Sequence, residues 1–153
     1  MEIYERNINI KLIPIDSEQV LLNVSLLDLS HSLHASLKIN ITTGEIIDAE
    51  AKMMRVPFSV CNMAEGNIKG LIGLKIQRGI NKQIAQIVGT KEGCTHLVEI
   101  LQSAVRFGSA LLISRAAGYE GYGKSAHLTE EERIARSKTI LKNTCIVFKE
   151  DNS

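Results

Sequence analysis

The hydrophobic period changes once along this chain, and that change limits the fold more than any other feature. Up to Met53 the apolar residues recur at every second position. Ile8, Ile10 and Leu12 lead to Pro14, which ends the run, and Val20, Leu22, Val24 and Leu26 share one face of the next segment. Leu33, Ala35, Leu37, Ile39 and Ile41 alternate with His34, Ser36, Lys38 and Asn40. After a turn at Thr42-Thr43-Gly44-Glu45, Ile47, Ala49, Ala51 and Met53 alternate with Asp48, Glu50 and Lys52. Such alternation marks antiparallel strands with one buried and one polar face.

Beyond Pro57 the spacing turns helical. Ile68, Leu71, Ile72 and Ile76 predict a helix that begins just after Cys61-Asn62 and is broken by Gly79; Ile80, Ile84, Ile87 and Val88 predict a short one closed by Gly89. The strongest pattern runs from Leu97 through Ile100, Leu101, Ala104, Val105 and Gly108 to Leu112, with Gly118 as its stop. Thr129-Glu130-Glu131-Glu132 has the form of a capping box opening a last helix with Ile134, Ile140 and Leu141. Cys145-Ile146-Val147-Phe148 reads as a final short strand, and Gly118, Gly121 and Gly123 as a flexible connector. Strands first and helices second predict one α+β domain over 1–148: an N-terminal antiparallel β-meander with helices packed on one face of the sheet, then a polar tail at 149–153.

A chain of 153 residues is long enough to bury a core, and without Trp and with 4% aromatics that core must be aliphatic. The net charge of +1 gives no field for nucleic acid or an acidic membrane. The first residues carry no basic-then-apolar signal, and the apolar runs are short and interrupted for a bilayer span, so the expectation is a cytoplasmic protein. Its three cysteines, an odd number, are then core residues, metal ligands or reactive thiols rather than a disulfide framework.

Cys94 is the most informative of them. Lys91-Glu92-Gly93-Cys94-Thr95-His96-Leu97 sets a thiol at the start of the strongest helix, where unpaired N–H groups and the helix dipole favour thiolate. Gly93 allows a close approach of the chain or of a ligand to that helix end. His96 falls in the first turn, away from the apolar stripe, with Glu99 on the same face. Cys61 lies in the loop that leaves the sheet, and His34 on the polar face of a strand. His31 and His127 read as loop or surface residues. Cys145 is either core or a further ligand. Both cysteines also read as small core residues, and His34 as a solvated side chain. Taken together, His34, Cys61 and Cys94 occupy three segment ends that a meander with helices on one face can bring together. Cys and His are the preferred ligands of zinc and also suit iron–sulfur clusters.

The stretch Gly93-Cys94-Thr95-His96-Leu97, with Pro57 and Cys61 before it and Cys145 after it, resembles an uncharacterised bacterial domain family without an agreed function. Residues 34–112 also resemble the iron–sulfur cluster scaffold proteins of the IscU/NifU type. The matching run is His34, Leu37-Lys38-Ile39, Gly44-Glu45-Ile46-Ile47-Asp48-Ala49, then Cys61, then Gly79, then Cys94 opening Leu97 to Ala104. That resemblance implies ligand roles for Cys61 and Cys94, with His34 standing where the family's first cysteine would be. The chain departs from the family in that position, in Ser36 for an acidic residue, in Gly93 for a histidine, and in lacking the chaperone-recruiting apolar-proline motif.

The leading expectation is a protein with a Cys/His metal site, zinc or iron–sulfur, built from His34, Cys61, Cys94 and His96, with Glu99 or Cys145 as further candidate ligands. It would act as a scaffold, carrier or accessory factor. A thiol enzyme with Cys94 as nucleophile, and an assembly module with inert cysteines, also fit the residues. The expected partners are another protein or a second copy, with no nucleic acid and no membrane.

Overall fold

In a computed structural model, which describes residues 4–119 and 127–150, the alternating part of the chain forms a four-stranded antiparallel sheet. Its strands, β1 (Arg6–Pro14), β2 (Gln19–Asp28), β3 (Ser32–Asn40) and β4 (Ile46–Arg55), pair in chain order as a meander. Even-numbered side chains of β2 and odd-numbered ones of β3 face inward, so Leu22, Leu26, Leu33 and Leu37 are fully buried. Asn23, Ser25, His34, Ser36 and Lys38 occupy the other face, as the period of 2 requires.

β3 and β4 shift register twice: between Ser32↔Arg55 and Leu33↔Met53, at the end of β4, and between Lys38↔Asp48 and Ile39↔Ile46, where β4 carries an extra residue at Ile47. The bulge at Ile47 turns Ile46 into the core and leaves Ile47 exposed, the reverse of the sequence expectation. Ile46 is held in that position from the far side: its N–H donates to the Leu74 carbonyl and its own carbonyl accepts from the Gly73 N–H, each at 2.8 Å.

The segment after Pro57 forms a 3-10 helix, Ser59–Leu71, in place of the expected α-helix. It buries Ala64, Ile68 and Leu71 and ends before Ile72; Ile76 reaches the core from an extended stretch instead. α1 (Ile80–Val88), closed by Gly89, and α2 (Thr95–Ala116) lie where the helical spacing put them. α2 buries Leu97, Ile100, Leu101, Ala104, Val105 and Gly108, and an added Cβ at Gly108 would meet Leu22 and Ile39 of the sheet. By length and composition α2 could also cross a membrane. Gly118, at φ +80°, ends the helical stretch in the left-handed conformation that glycine adopts without strain.

The chain divides into two compact units, 1–109 and 110–153, with the boundary inside α2. The first holds the sheet, the 3-10 helix, α1 and most of α2. In the second, α3 (Glu130–Leu141) starts with the expected capping box: the Thr129 hydroxyl accepts from the Glu132 N–H and the Glu132 carboxylate from the Thr129 N–H. The expected final strand is instead a 3-10 turn, Ile146–Phe148, closed by the Phe148 N–H donating to the Cys145 carbonyl. Most of the glycine connector, from 120 to 126, lies outside the described residues.

The parity argument has a direct test. Leu37→Ala removes a fully buried side chain and should cost about 2–5 kcal/mol. Leu27→Ala, on the opposite face and half exposed, should stay within about 0.5 kcal/mol. Urea unfolding of the two variants checks the contrast.

Candidate functional site

The turn between β2 and β3 is built on a buried carboxylate. Asp28 closes β2, and its Oδ1 accepts from the Ser30 N–H at 2.9 Å and the His31 N–H at 2.8 Å, an Asx-type turn. Its Oδ2 accepts twice from the Arg6 guanidinium of β1, from Nε at 2.9 Å and from a terminal nitrogen at 2.7 Å. The remaining guanidinium nitrogen of Arg6 donates to Glu99 of α2 at 2.7 Å. Arg55 of β4 donates to the Asp28 and His31 carbonyls. One carboxylate therefore fastens β1, the β2–β3 turn and, through Arg6, the start of α2.

Asp28 also orients an imidazole. His31 Nδ1 lies 3.0 Å from Asp28 Oδ1. A carboxylate can only accept, so Nδ1 is the nitrogen that carries a proton, and in the neutral ring Nε2 is the one with the free lone pair. His31 is buried, and its ring rests against that of His96 from the first turn of α2, with centroids 3.9 Å apart and planes tilted by 40°. Burial lowers the pKa of His96; the neighbouring His31 and Arg6 lower it further, against the opposing pull of Glu99 and Asp28. His96 is thus biased to the neutral, lone-pair-bearing form. Burial alone would raise the pKa of Asp28, but donation from His31, the Ser30 N–H, Arg6 and the His31 N–H outweighs it and holds the carboxyl well below its ordinary range. Asp28 and Arg55 also line an open cleft of about 500 Å³ together with Tyr4, Asn7, Leu27 and Leu29.

Of the residues singled out in the sequence, His96 is in this cluster, and Glu99, expected beside it, is tied to it through Arg6. His34 is not: it lies on the outer face of the sheet, opposite Ser25 and Lys52 in register, whereas α2 packs on the inner face. The histidine that meets His96 is His31, expected as a loop or surface residue; it does lie in the β2–β3 turn, but it is buried. Its signal was the spacing Asp28-Leu29-Ser30-His31 between two alternating runs, an Asx turn that puts the imidazole within reach of the carboxylate.

Cys94 stands at the start of α2 as expected; its carbonyl accepts from the Val98 N–H at 3.1 Å and its N–H donates to the Val88 carbonyl at 3.0 Å. That second bond folds the 89–94 loop so tightly that a Cβ on Gly93 would collide with the Val88 carbonyl, the close chain approach that the glycine foretold. Cys61 is half-buried in the 3-10 helix, which is joined to the same loop where Asn67 donates to the Glu92 carbonyl at 3.0 Å. Cys145 and His127 are exposed and belong to the second unit. Among the described residues no three His, Cys, Asp or Glu side chains are arranged as a ligand set for a metal ion.

A family model described as a protein of unknown function (DUF2889) matches residues 11–107, which include Asp28, His31, Cys61, Cys94 and His96. No curated protein and no solved structure matches the chain.

Two substitutions test this geometry. Gly93→Ala must displace the Val88 carbonyl, and it should destabilise the protein by about 1–3 kcal/mol in urea unfolding. Because the pKa of Asp28 is lowered by folding, its stabilisation is complete above the unfolded carboxylate value of about 3.9 and disappears as pH falls below it. The stability gap between the wild type and Asp28→Asn should therefore be widest near neutrality and close in acid. A gap independent of pH would assign the clamp no electrostatic role.

Proposed function

We propose that this chain, which belongs to the DUF2889 family, binds a divalent transition-metal ion of the zinc class, with His31 and His96 as the protein's nitrogen ligands. One observation carries the reading: two imidazoles in contact, one of them fixed through Nδ1 by a buried carboxylate. Histidines that bind metals characteristically donate their second ring N–H to a carboxylate, which sets the tautomer and raises the basicity of the ligating nitrogen. His31 has that partner in Asp28. His96 is held toward neutrality by burial, and neutral imidazole is the form that ligates.

The donor set favours a nitrogen-preferring ion over an iron–sulfur cluster. Clusters are held by several thiolates, and the described residues assemble no such set. Imidazole suits zinc, copper and nickel. Asp28 acts as a positioning residue, since Arg6, His31 and two backbone N–H groups already engage its oxygens. In this reading the protein is a carrier or accessory factor that supplies two ligands, and water or a third donor completes the coordination.

Cobalt(II) titration followed by calorimetry and absorption tests the proposal. Wild type should bind one ion, and His31→Ala and His96→Ala should each weaken binding at least tenfold. Thiolate-to-cobalt charge transfer that vanishes in Cys94→Ser or Cys61→Ser would add that cysteine to the site. Binding that neither histidine variant alters, or no binding at all, would overturn the reading.

A further inference from the structure

The two edges of the sheet are treated differently. At β4 the edge is covered: residues 73–76 bond back to Gly44 and Ile46, Glu45 bridges Lys75, and the Met53 N–H donates to the Glu65 carboxylate. At β1, among the described residues, no strand pairs on the outer side.

The register shows which backbone groups that open edge presents. The Ile15 N–H donates to the Gln19 carbonyl, and β1 pairs with β2 without a shift, so odd-numbered residues of β1 bond to β2. The N–H and C=O groups of Ile8, Ile10 and Leu12 therefore point away from the sheet. Pro14 has the same parity, and a proline tolerates that position because its missing N–H is not needed there. The side chains of Ile8, Ile10 and Leu12 lie on the inner face in line with Leu26, Val24 and Leu22. Those three partners are sealed in the core, whereas all three β1 residues are only half-buried. Between Asn7 and Ile13 the strand carries a single charge, Lys11, and it points to the outer face. An edge of this length, regular and almost uncharged, is a template for another strand.

We infer that β1 is a homodimerisation edge, on which a second copy of this chain pairs its own β1 antiparallel about a two-fold axis to make one continuous eight-stranded sheet. The occupant follows from the self-complementarity of the strand. With the axis at Ile10, Ile10 meets its own copy and Ile8 meets the second copy's Leu12. Each of these three residues then donates and accepts across the seam, and the half-buried apolar row is closed from both sides. Centring on Asn9 instead would set Arg6, already engaged by Asp28 and Glu99, opposite Leu12. Lys11 falls opposite Asn9, so no like charges meet. The pairing is isologous, which closes at two copies rather than growing into a fibre.

Light scattering over a dilution series, with hydrogen exchange on the same samples, tests this. The wild type should show twice the 16.9 kDa of one chain, dissociating on dilution. The Ile8, Ile10 and Leu12 amides, which have no partner among the described residues, should exchange at least tenfold more slowly in the dimer than in the diluted monomer. Ile10→Pro removes an N–H that only the second copy uses, and Leu12→Lys places a charge at the seam; each should give a monomer with an unchanged circular dichroism spectrum. If Ile10→Pro fails to fold, Leu12→Lys and the exchange rates still decide. A monomer at every concentration would overturn the inference, as would a dimer in which those three amides exchange as freely as in the monomer.

Discussion

A single buried carboxylate, Asp28, ties β1, the β2–β3 turn and the start of α2 together. Asp28 receives two guanidinium nitrogens of Arg6 on one oxygen and an imidazole and two backbone N–H groups on the other, and Arg6 carries the connection on to Glu99. A buried charge is tolerated only when it is paired and hydrogen-bonded, and here the donors come from β1 and from the β2–β3 turn. β1, the β2–β3 turn and the first turn of α2 are therefore positioned by the same group. The contact between His31 and His96 follows from that arrangement, since one ring hangs from the turn and the other from the helix. Removing one partner from such a network leaves the others uncompensated, so Asp28 governs both stability and the geometry of the imidazole pair.

Much of the fold was legible in the residues. Alternation located all four strands and their inner faces, and helical spacing placed α1 and α2 together with their glycine stops. Where it failed, a local irregularity intervened. The bulge at Ile47 shifted parity by one residue, which no periodic pattern encodes. The 59–71 segment has helix-like apolar spacing in Ala64, Ile68 and Leu71, yet winds as a 3-10 helix; its Gly70 sits against Ile87 of α1, where a Cβ would come within 2.6 Å of that side chain. Cys145 to Phe148 is apolar enough for a strand, but within the second unit it closes a local turn and buries no residue.

The candidate site was half legible. His96 and the start of α2 were marked by their local sequence. His31 was missed because turn residues escape both periodicities, and because the resemblance to cluster scaffold proteins drew attention to His34, whose parity sends it to the other face of the sheet. The link from Arg6 to Asp28 and Glu99 spans 22 and 93 positions in the chain. Contacts of that separation are made by the packing of the sheet against α2, and a single sequence does not spell them out.

The central claim is that Asp28 holds His31 through Nδ1, against the ring of His96, and so leaves Nε2 as the nitrogen that takes a metal ion. Long-range proton–nitrogen correlation spectra of the histidine rings, recorded at mildly alkaline pH before and after adding zinc, test it most directly. The account predicts that His31 is protonated at Nδ1 in the metal-free protein, and that zinc shifts its Nε2 and one nitrogen of His96 while Nδ1–H persists. A His31 protonated at Nε2, or zinc-induced shifts confined to other histidines, would contradict it.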